Sequence, residues 1–254
     1  MTNTDRQPPI ISIIMPLHNS LLFMDDGIQS VLRQSFREFE LLLVDDASHD
    51  GTLAYAHQLA EQDSRIRVIP RKQNGGGGAA RNSGIAQARG RFLAFLDADD
   101  IWQDDKLKIQ LKEMERLGAA FSYTDYSIVR MDGTKIKSRS VPSKVSYHDL
   151  LKDNVVGCST AIYDVWSLGK RYFPLIRKRQ DLALWLSILK STDFAYKCGP
   201  ELTRYRVRPG SVSANKLKAA MYTWRVYRHI EALGLLQSLY YFSHYAIASI
   251  ARRL

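Results

Sequence analysis

Three carboxylates fall within four positions, Asp97, Asp99 and Asp100, directly after the apolar run Phe92-Leu93-Ala94-Phe95-Leu96. Like charges this close raise one another's pKa unless a cation sits among them. A strand end carrying all three therefore suits a divalent ion bound to a diphosphate. The plainer alternative is a solvated acidic turn, with Asp99 or Asp100 capping a segment that begins near Ile101.

Other polar groups occupy comparable places. Asp45 and Asp46 follow the run Phe39 to Val44 and can accept hydrogen bonds from a base or ribose, or one of them can cap the next helix. His18 and Asn19 follow Ile10 to Met15, where His18 is either a ligand contact or a helix-entry residue. Asp181 heads an apolar helix one turn before Trp185 and follows the basic run Arg177, Lys178 and Arg179. A carboxylate there is a general base or an N-terminal cap. The glycines Gly75 to Gly78, preceded by Asn74, let backbone approach a diphosphate while Arg81 supplies charge; otherwise they are a flexible loop.

Gly75, Gly77 and Ala80 also satisfy the dinucleotide fingerprint G-x-G-x-x-A, with Asp97 about 20 residues on. That fingerprint needs its turn immediately after a strand. Here Pro70 to Asn74 intervene, and three carboxylates stand where one is expected, so the NAD-dependent dehydrogenase reading is disfavoured.

These groups need elements to hold them. Ile10 to Met15, closed by Pro16, then Phe39 to Val44, Ile66 to Ile69 and Phe92 to Leu96 read as buried strands. They alternate with helical spacing over Met24 to Leu32, Leu53 to Ala60 and Ala79 to Arg89. Repeated β-α-β units imply a parallel sheet with its ligands beyond the carboxyl ends of the strands, where every polar cluster above falls. Beyond Lys106 the pattern becomes mixed: a helix with Leu107, Leu111 and Met114 on its apolar face, strand pieces at Phe121 to Tyr123 and Ser127 to Met131, a turn at Asp132-Gly133, a helix over Asp181 to Leu189 and a strand over Thr203 to Val207. Two helices broken near Gly234 finish the chain. The expected division is residues 1–104 as a nucleotide-sugar-binding half, 105–215 as an acceptor-binding and catalytic half, and 216–254 as basic, aromatic C-terminal helices.

At 254 residues with 45% hydrophobic content, the chain can bury a sizeable core. Met1 to Pro9 lacks the apolar stretch of a secretory signal, and no uncharged apolar run approaches the ~20 residues that cross a bilayer, so the expectation is a cytoplasmic, non-spanning protein. Cys158 and Cys198 read as ordinary reduced thiols. The net charge of +10 implies an acidic partner. Lys216, Lys218, Arg225, Arg228, Arg252 and Arg253, opposed by Glu231 alone in that segment, interleave with Tyr222, Trp224, Tyr227, Tyr240, Tyr241, Phe242 and Tyr245. Such a segment suits an anionic membrane surface, or its aromatics pack on the domain as core.

The ordered set Ile13-Ile14-Met15-Pro16-Leu17-His18-Asn19, Val44-Asp45-Asp46-Ala47-Ser48, Ala80-Arg81-Asn82-Ser83-Gly84 and Leu96-Asp97-Ala98-Asp99-Asp100 resembles the inverting family 2 glycosyltransferases of bacterial surface-polysaccharide type. The likeness continues through Arg179-Gln180-Asp181 to Leu186 and through Tyr205-Arg206-Val207-Arg208-Pro209-Gly210-Ser211, covering about residues 10 to 215. It implies an α/β fold of the GT-A type, a Rossmann-like nucleotide-sugar-binding sheet with a mixed acceptor lobe and C-terminal helices. It further implies Pro16, His18, Asn19, Asp45 and Asp46 near the uracil and ribose, with Asn74, Arg81, Ala98, Arg206, Arg208 and Ser211 toward the nucleotide sugar. Asp97 would touch ribose or donor sugar beside the metal, Asp99 would bind Mn2+ or Mg2+, and Asp181 would be the catalytic base. Two departures stand out: Gln180 where many relatives carry Glu, and Arg208 where a number of them place a metal-binding His.

The implied reaction is transfer of a hexose from a UDP-sugar to a glycan acceptor, polyprenyl-diphosphate-linked, in the making of envelope polysaccharide such as O-antigen, lipopolysaccharide or capsule. The implied place is the cytoplasm, with peripheral association at the inner membrane. The rivals are a metal-dependent sugar nucleotidyltransferase, which would release diphosphate in place of UDP, and a nucleic-acid-binding protein, supported by charge alone and not expected.

Overall fold

The structure is a computed structural model that describes residues 8–207 and 216–251. The first half is β1 (Ile11–Leu17), α1 (Met24–Leu32), β2 (Phe39–Asp45), α2 (Thr52–Gln62), β3 (Ile66–Pro70), α3 (Gly76–Gln87) and β4 (Phe92–Phe95). There follow β5 (Ile101–Trp102), α4 (Lys106–Leu117), β6 (Phe121–Arg130), β7 (Lys135–Arg139), β8 (Lys144–Val145), α5 (Tyr147–Lys152), β9 (Ile162–Asp164), α6 (Val165–Leu168), α7 (Gln180–Leu189) and β10 (Ala195–Val207). The last described elements are α8 (Lys216–Arg225), continued by a wider turn over Val226–Ile230, and α9 (Leu235–Ala251).

The strands form one sheet in the order β3-β2-β1-β4-β9-β6-β10-β5, with β7 on β6 and β8 on β10. β3, β2, β1 and β4 run parallel, so their carboxyl ends share one edge. β9 is antiparallel to both β4 and β6, and β10 runs parallel to β6. The expected mixed half therefore continues the same sheet. Alternation along β1 divides the core between the two faces. Ile14, with Leu42, Val44 and Phe95, packs toward α3 and α7, while Ile13 and Met15, with Leu41 and Leu43, join Met24, Ile28, Leu59, Leu107 and Met114 on the other face. A Cβ on Gly84 would lie 2.6 Å from Ile14 Cγ2, so glycine is what lets α3 lie against the sheet at this depth.

Several boundaries differ from expectation for local reasons. β1 runs through Pro16 to Leu17. The Ile10 and Ile14 carbonyls accept from Phe92 and Leu96 on the β4 side, and that of Leu17 accepts from Asp46 on the β2 side. A period of two turns Pro16 toward β4, past its last residue, where a missing N–H interrupts no ladder. α3 starts inside the glycine run, at Gly76, because the Asp46 carboxylate accepts from its first amides. The two strand pieces expected around Phe121 and Ser127 are one strand, and β10 begins at Ala195, with irregular register between Lys197 and Thr203.

Lys106 is wholly buried, its Nζ 4.3 Å from the Trp102 ring centroid and donating to Gln110 Oε1 at 2.6 Å. Burial pushes its amine down to about 7. The unfolded chain binds that proton up to the ordinary lysine range, so between those limits the unfolded state holds more protons and stability rises with pH. From pH 7 to 9 the wild type should gain about 1–3 kcal/mol of unfolding free energy relative to Lys106→Met, measured by urea titration; parallel pH profiles would refute the buried neutral amine.

Candidate functional site

The carboxyl ends of β1, β2 and β4 open into a crevice of about 1250 Å3 that also reaches the head of α7. Pro16, His18, Asp46, Asn74, Arg81, Asp97, Ala98, Asp99 and Asp181, all expected site residues, line it together.

Asp46 organises the end of the crevice between β1, β2 and α3. Its carboxylate, 3% exposed, pairs with Arg71 and accepts from the Gly75 and Gly76 amides at 3.0 and 2.7 Å. It therefore serves as an anion at the α3 N-terminus, contributed from another strand, and holds the glycine turn where its backbone faces the crevice. The Asp46 carbonyl lies 3.0 Å from His18 Nδ1 and accepts from Asn74 Nδ2 at 3.2 Å, which gathers the ends of three loops.

Arg81, on the second turn of α3, forms an ion pair with Asp97, their side chains 12% and 32% exposed. It lies 5.3 Å from the Phe173 ring centroid. Burial works against its charge, but the surrounding groups, Asp97 first and Asp181 among them, together outweigh it, so the guanidinium stays protonated. Asp97 is thus oriented by an arginine, and Asp99 stands two residues on along the same turn.

Asp100 has a different part. It is 1% exposed, accepts from Ser159 Oγ at 2.5 Å and from the Arg206 amide at 3.1 Å. Burial first, then the charges of Asp97 and Asp99, raises its pKa well above the usual carboxylate range. Ser159 Oγ also accepts from the Asp97 amide at 3.1 Å, so one hydroxyl braces both ends of the acidic turn.

Asp181 sits in the first turn of α7, after Arg179, which has left-handed backbone with φ 62°. A carboxylate there is favoured by the helix dipole. Asn154 Nδ2 donates to its Oδ2 at 3.2 Å, which fixes one oxygen of a residue that lines the crevice. Gln180 abuts α3, where a Cβ on Gly78 would lie 2.7 Å from its Oε1.

Other expected residues lie elsewhere. Arg206, expected at the nucleotide sugar, is 3% exposed and turned beneath the acidic turn. Its guanidinium donates to the Asp99 carbonyl, to Asp26 Oδ2 at 2.7 Å and to the Phe23 carbonyl at 2.9 Å. Those bonds engage all three guanidinium nitrogens, so it secures the turn. Asp45, 1% exposed, accepts from the Ser48 amide at 3.2 Å and caps a turn. Asn19 binds the Ser48 and His49 region, accepting from the His49 amide at 2.9 Å, and joins two loops outside the crevice lining. Arg208 and Ser211 lie outside the described residues. The residues that sequence reasoning missed in these roles are Arg71, Asn154 and the bracing function of Ser159; nothing local marks them, since each acts on a partner far along the chain.

Among the described residues no group of three or more His, Cys, Asp or Glu is arranged to hold a metal by itself. The donor set still fits a hard divalent cation of sparse protein ligation: Asp97 and Asp99 offer carboxylate oxygens at one crevice wall, and Mg2+ or Mn2+ commonly completes its shell with phosphate and water.

Residues 12–172 match the family described as glycosyl transferase family 2. The chain is 42% identical over 247 residues to the putative teichuronic acid biosynthesis glycosyltransferase TuaG of Bacillus subtilis, spanning 97% of this chain and 98% of that protein. It is 35% identical over 244 residues to the Escherichia coli UDP-Glc:alpha-D-GlcNAc-diphosphoundecaprenol beta-1,3-glucosyltransferase WfgD, spanning 96% and 94%. Among solved structures it resembles S. aureus TarS in complex with UDP-GlcNAc, with a TM-score of 0.71, 21% identity and coverage of 93% of this chain and 71% of that one. It also resembles a Pyrobaculum calidifontis mannosyltransferase in complex with GDP-Man and Mn2+, with a TM-score of 0.68, 16% identity and coverage of 96% and 75%. The GT-A type of fold expected from the motifs is borne out.

Two substitutions test the bracing contacts. Asp46→Ala, which leaves the α3 amides and Arg71 unpaired, should cost about 1–3 kcal/mol in urea unfolding, and an unchanged midpoint would remove its anchoring role. Ser159→Ala should cost a similar ~1–3 kcal/mol, because it strips a donor from buried Asp100 and an acceptor from the Asp97 amide; a neutral result would assign the acidic turn's position to Arg206 alone.

Proposed function

Because the chain belongs to glycosyl transferase family 2, and is thus a glycosyltransferase, we propose that it transfers a hexose from a UDP-sugar to a polyprenyl-diphosphate-linked glycan with inversion at the anomeric carbon. The observation that carries the reading is the convergence in one crevice of the Asp46-anchored glycine turn, the Arg81–Asp97 pair and Asp181. The acceptor class is supported by WfgD and WfaP, both named for a diphosphoundecaprenol-linked acceptor.

Asn74 and His18, gathered on the Asp46 carbonyl, hold the uridine end, and the glycine turn and Arg81 line the donor side of the crevice. The acceptor hydroxyl attacks the anomeric carbon from the Asp181 side while the bond to the UDP oxygen breaks. Asp181 takes the hydroxyl proton, and Asn154 holds the carboxylate in place to receive it. Asp99, with Asp97 beside it, would hold Mn2+ or Mg2+, whose chemistry is to neutralise charge on the departing diphosphate.

The enzyme works as a peripheral protein on the cytoplasmic face of the inner membrane in this reading, as part of envelope polysaccharide synthesis. No helix among the described residues is long and apolar enough to cross a membrane. The support for surface attachment is α9, whose outer face leaves Leu236, Leu239, Tyr240 and Ile247 exposed, together with the basic residues of the segment. Residues 1–104, 105–215 and 216–254 then serve as donor half, acceptor half and attachment segment.

UDP release from UDP-hexoses, measured with Mn2+ and a glycan diphosphate acceptor, tests this directly. Asp181→Asn should lower kcat by about 10²–10⁴-fold. Asp99→Ala should lose turnover and the response to added Mn2+. Full activity in Asp181→Asn would overturn the base assignment, and release of inorganic diphosphate in place of UDP would mark a nucleotidyltransferase.

A further inference from the structure

We propose that the apolar groove between α8 and α9 holds the isoprenoid chain of the acceptor while its diphosphate and sugar enter the crevice; this rests on the lipid-linked acceptor proposed above. The groove, about 410 Å3, is lined by Ala220, Met221, Trp224 and Phe242, with exposed Arg225 as its one charged lining residue. That volume is within the ~300–1,000 Å3 of small-ligand sites. Trp224 meets Phe242 edge to face at 5.4 Å, forming a stiff aromatic wall. Met221, 66% exposed, leaves a flexible thioether in water, the kind of side chain that adapts to an irregular apolar chain.

Position and charge choose the occupant. Ala219 lines the catalytic crevice and its neighbour Ala220 lines the groove, so the two cavities adjoin across a single peptide of α8. A second connection runs through α9. Arg179 Nη2 donates to the Tyr245 hydroxyl at 2.7 Å, and Tyr245 packs 5.8 Å from Phe242, the groove wall. The basic strip Arg177, Lys178 and Arg179 lines the crevice beside Asp181. An apolar chain that ends in a diphosphate and then a sugar meets apolar surface, positive charge and the base in that order. The acid in this segment does not oppose an anion. Glu231, 1% exposed at its side chain, is paired with Lys190 at 2.6 Å.

The test uses the full chain in detergent micelles with two acceptors bearing the same sugar diphosphate, one on a long polyprenyl chain and one on a short alkyl chain. Met221→Glu should lower the ratio of long-chain to short-chain kcat/KM at least tenfold and weaken direct binding of the polyprenyl diphosphate by a similar factor. Trp166→Ala, exposed and distant from the groove, should keep the wild-type ratio. Retained UDP binding by Met221→Glu excludes misfolding as the cause; if that variant does not fold, Ala220→Glu replaces it in the same comparison. An unchanged ratio, or unchanged polyprenyl diphosphate binding, overturns the groove assignment. So does an equal loss in binding to anionic vesicles that contain no acceptor, which would make the groove a bilayer contact. Failure of wild-type UDP release with the short acceptor would instead sink the transferase reading, whereas the direct binding measurement judges the groove on its own.

Discussion

The turn after β4 depends on one buried carboxyl. Asp100 is closed off from water and held by Ser159 Oγ and the Arg206 amide, from a short helical turn and a strand that come much later in the chain. A buried acid without donors would cost several kcal/mol, so the position of the acidic turn and the docking of the second half are coupled. Arg206 adds to the same constraint from below, joining Asp26 and the Phe23 and Asp99 carbonyls. The two outward acids, Asp97 and Asp99, are thereby presented to the crevice on a fixed base.

The opposite wall uses the same physics with the roles reversed. There a carboxylate, Asp46, satisfies amides at the start of α3 that a glycine-rich sequence could not cap itself, and no side-chain cap is present at Gly75. The glycines are then a consequence of close approach: α3 must pass near Gln180 on one side and Ile14 on the other. Arg81 follows at a fixed angle on that helix and orients Asp97 across the crevice. The glycine turn and the acidic turn are in this way parts of one hydrogen-bonded frame.

The wall that carries Asp181 is built on packing. α7 is almost entirely buried from Leu182 to Leu186, so its N-terminus and Asp181 cannot drift from the sheet. The left-handed Arg179 that begins it turns the preceding basic strip back toward the crevice and into contact with α9. In the C-terminal helices Tyr227 and Tyr245 are core, while Leu236, Leu239 and Ile247 face outward. One helix supports the basic strip before Asp181 and offers an apolar surface.

Much of the first half was legible in the chain because a parallel strand buried on both faces must be a continuous apolar run, and the residues just past its end must be polar. Leu41 to Val44 before Asp45-Asp46, and Phe92 to Leu96 before Asp97, are local statements that survive folding. Arg81, Asp99 and Asp181, marked by residue type and spacing before the family motifs implied their roles, all line the crevice. Which polar residue faces the ligand and which faces the protein was another matter. Asp45 and Asp46 are neighbours of the same type, yet adjacent strand residues point to opposite sides, and one caps a turn while the other anchors α3. Arg206, expected toward the nucleotide sugar, is a strap, and Ser159 and Asn154, which nothing local marks for it, brace the acidic turn and Asp181. A sequence specifies donors, acceptors and their local direction, whereas a partner 59 or 106 residues away is chosen only when the sheet brings the segments together.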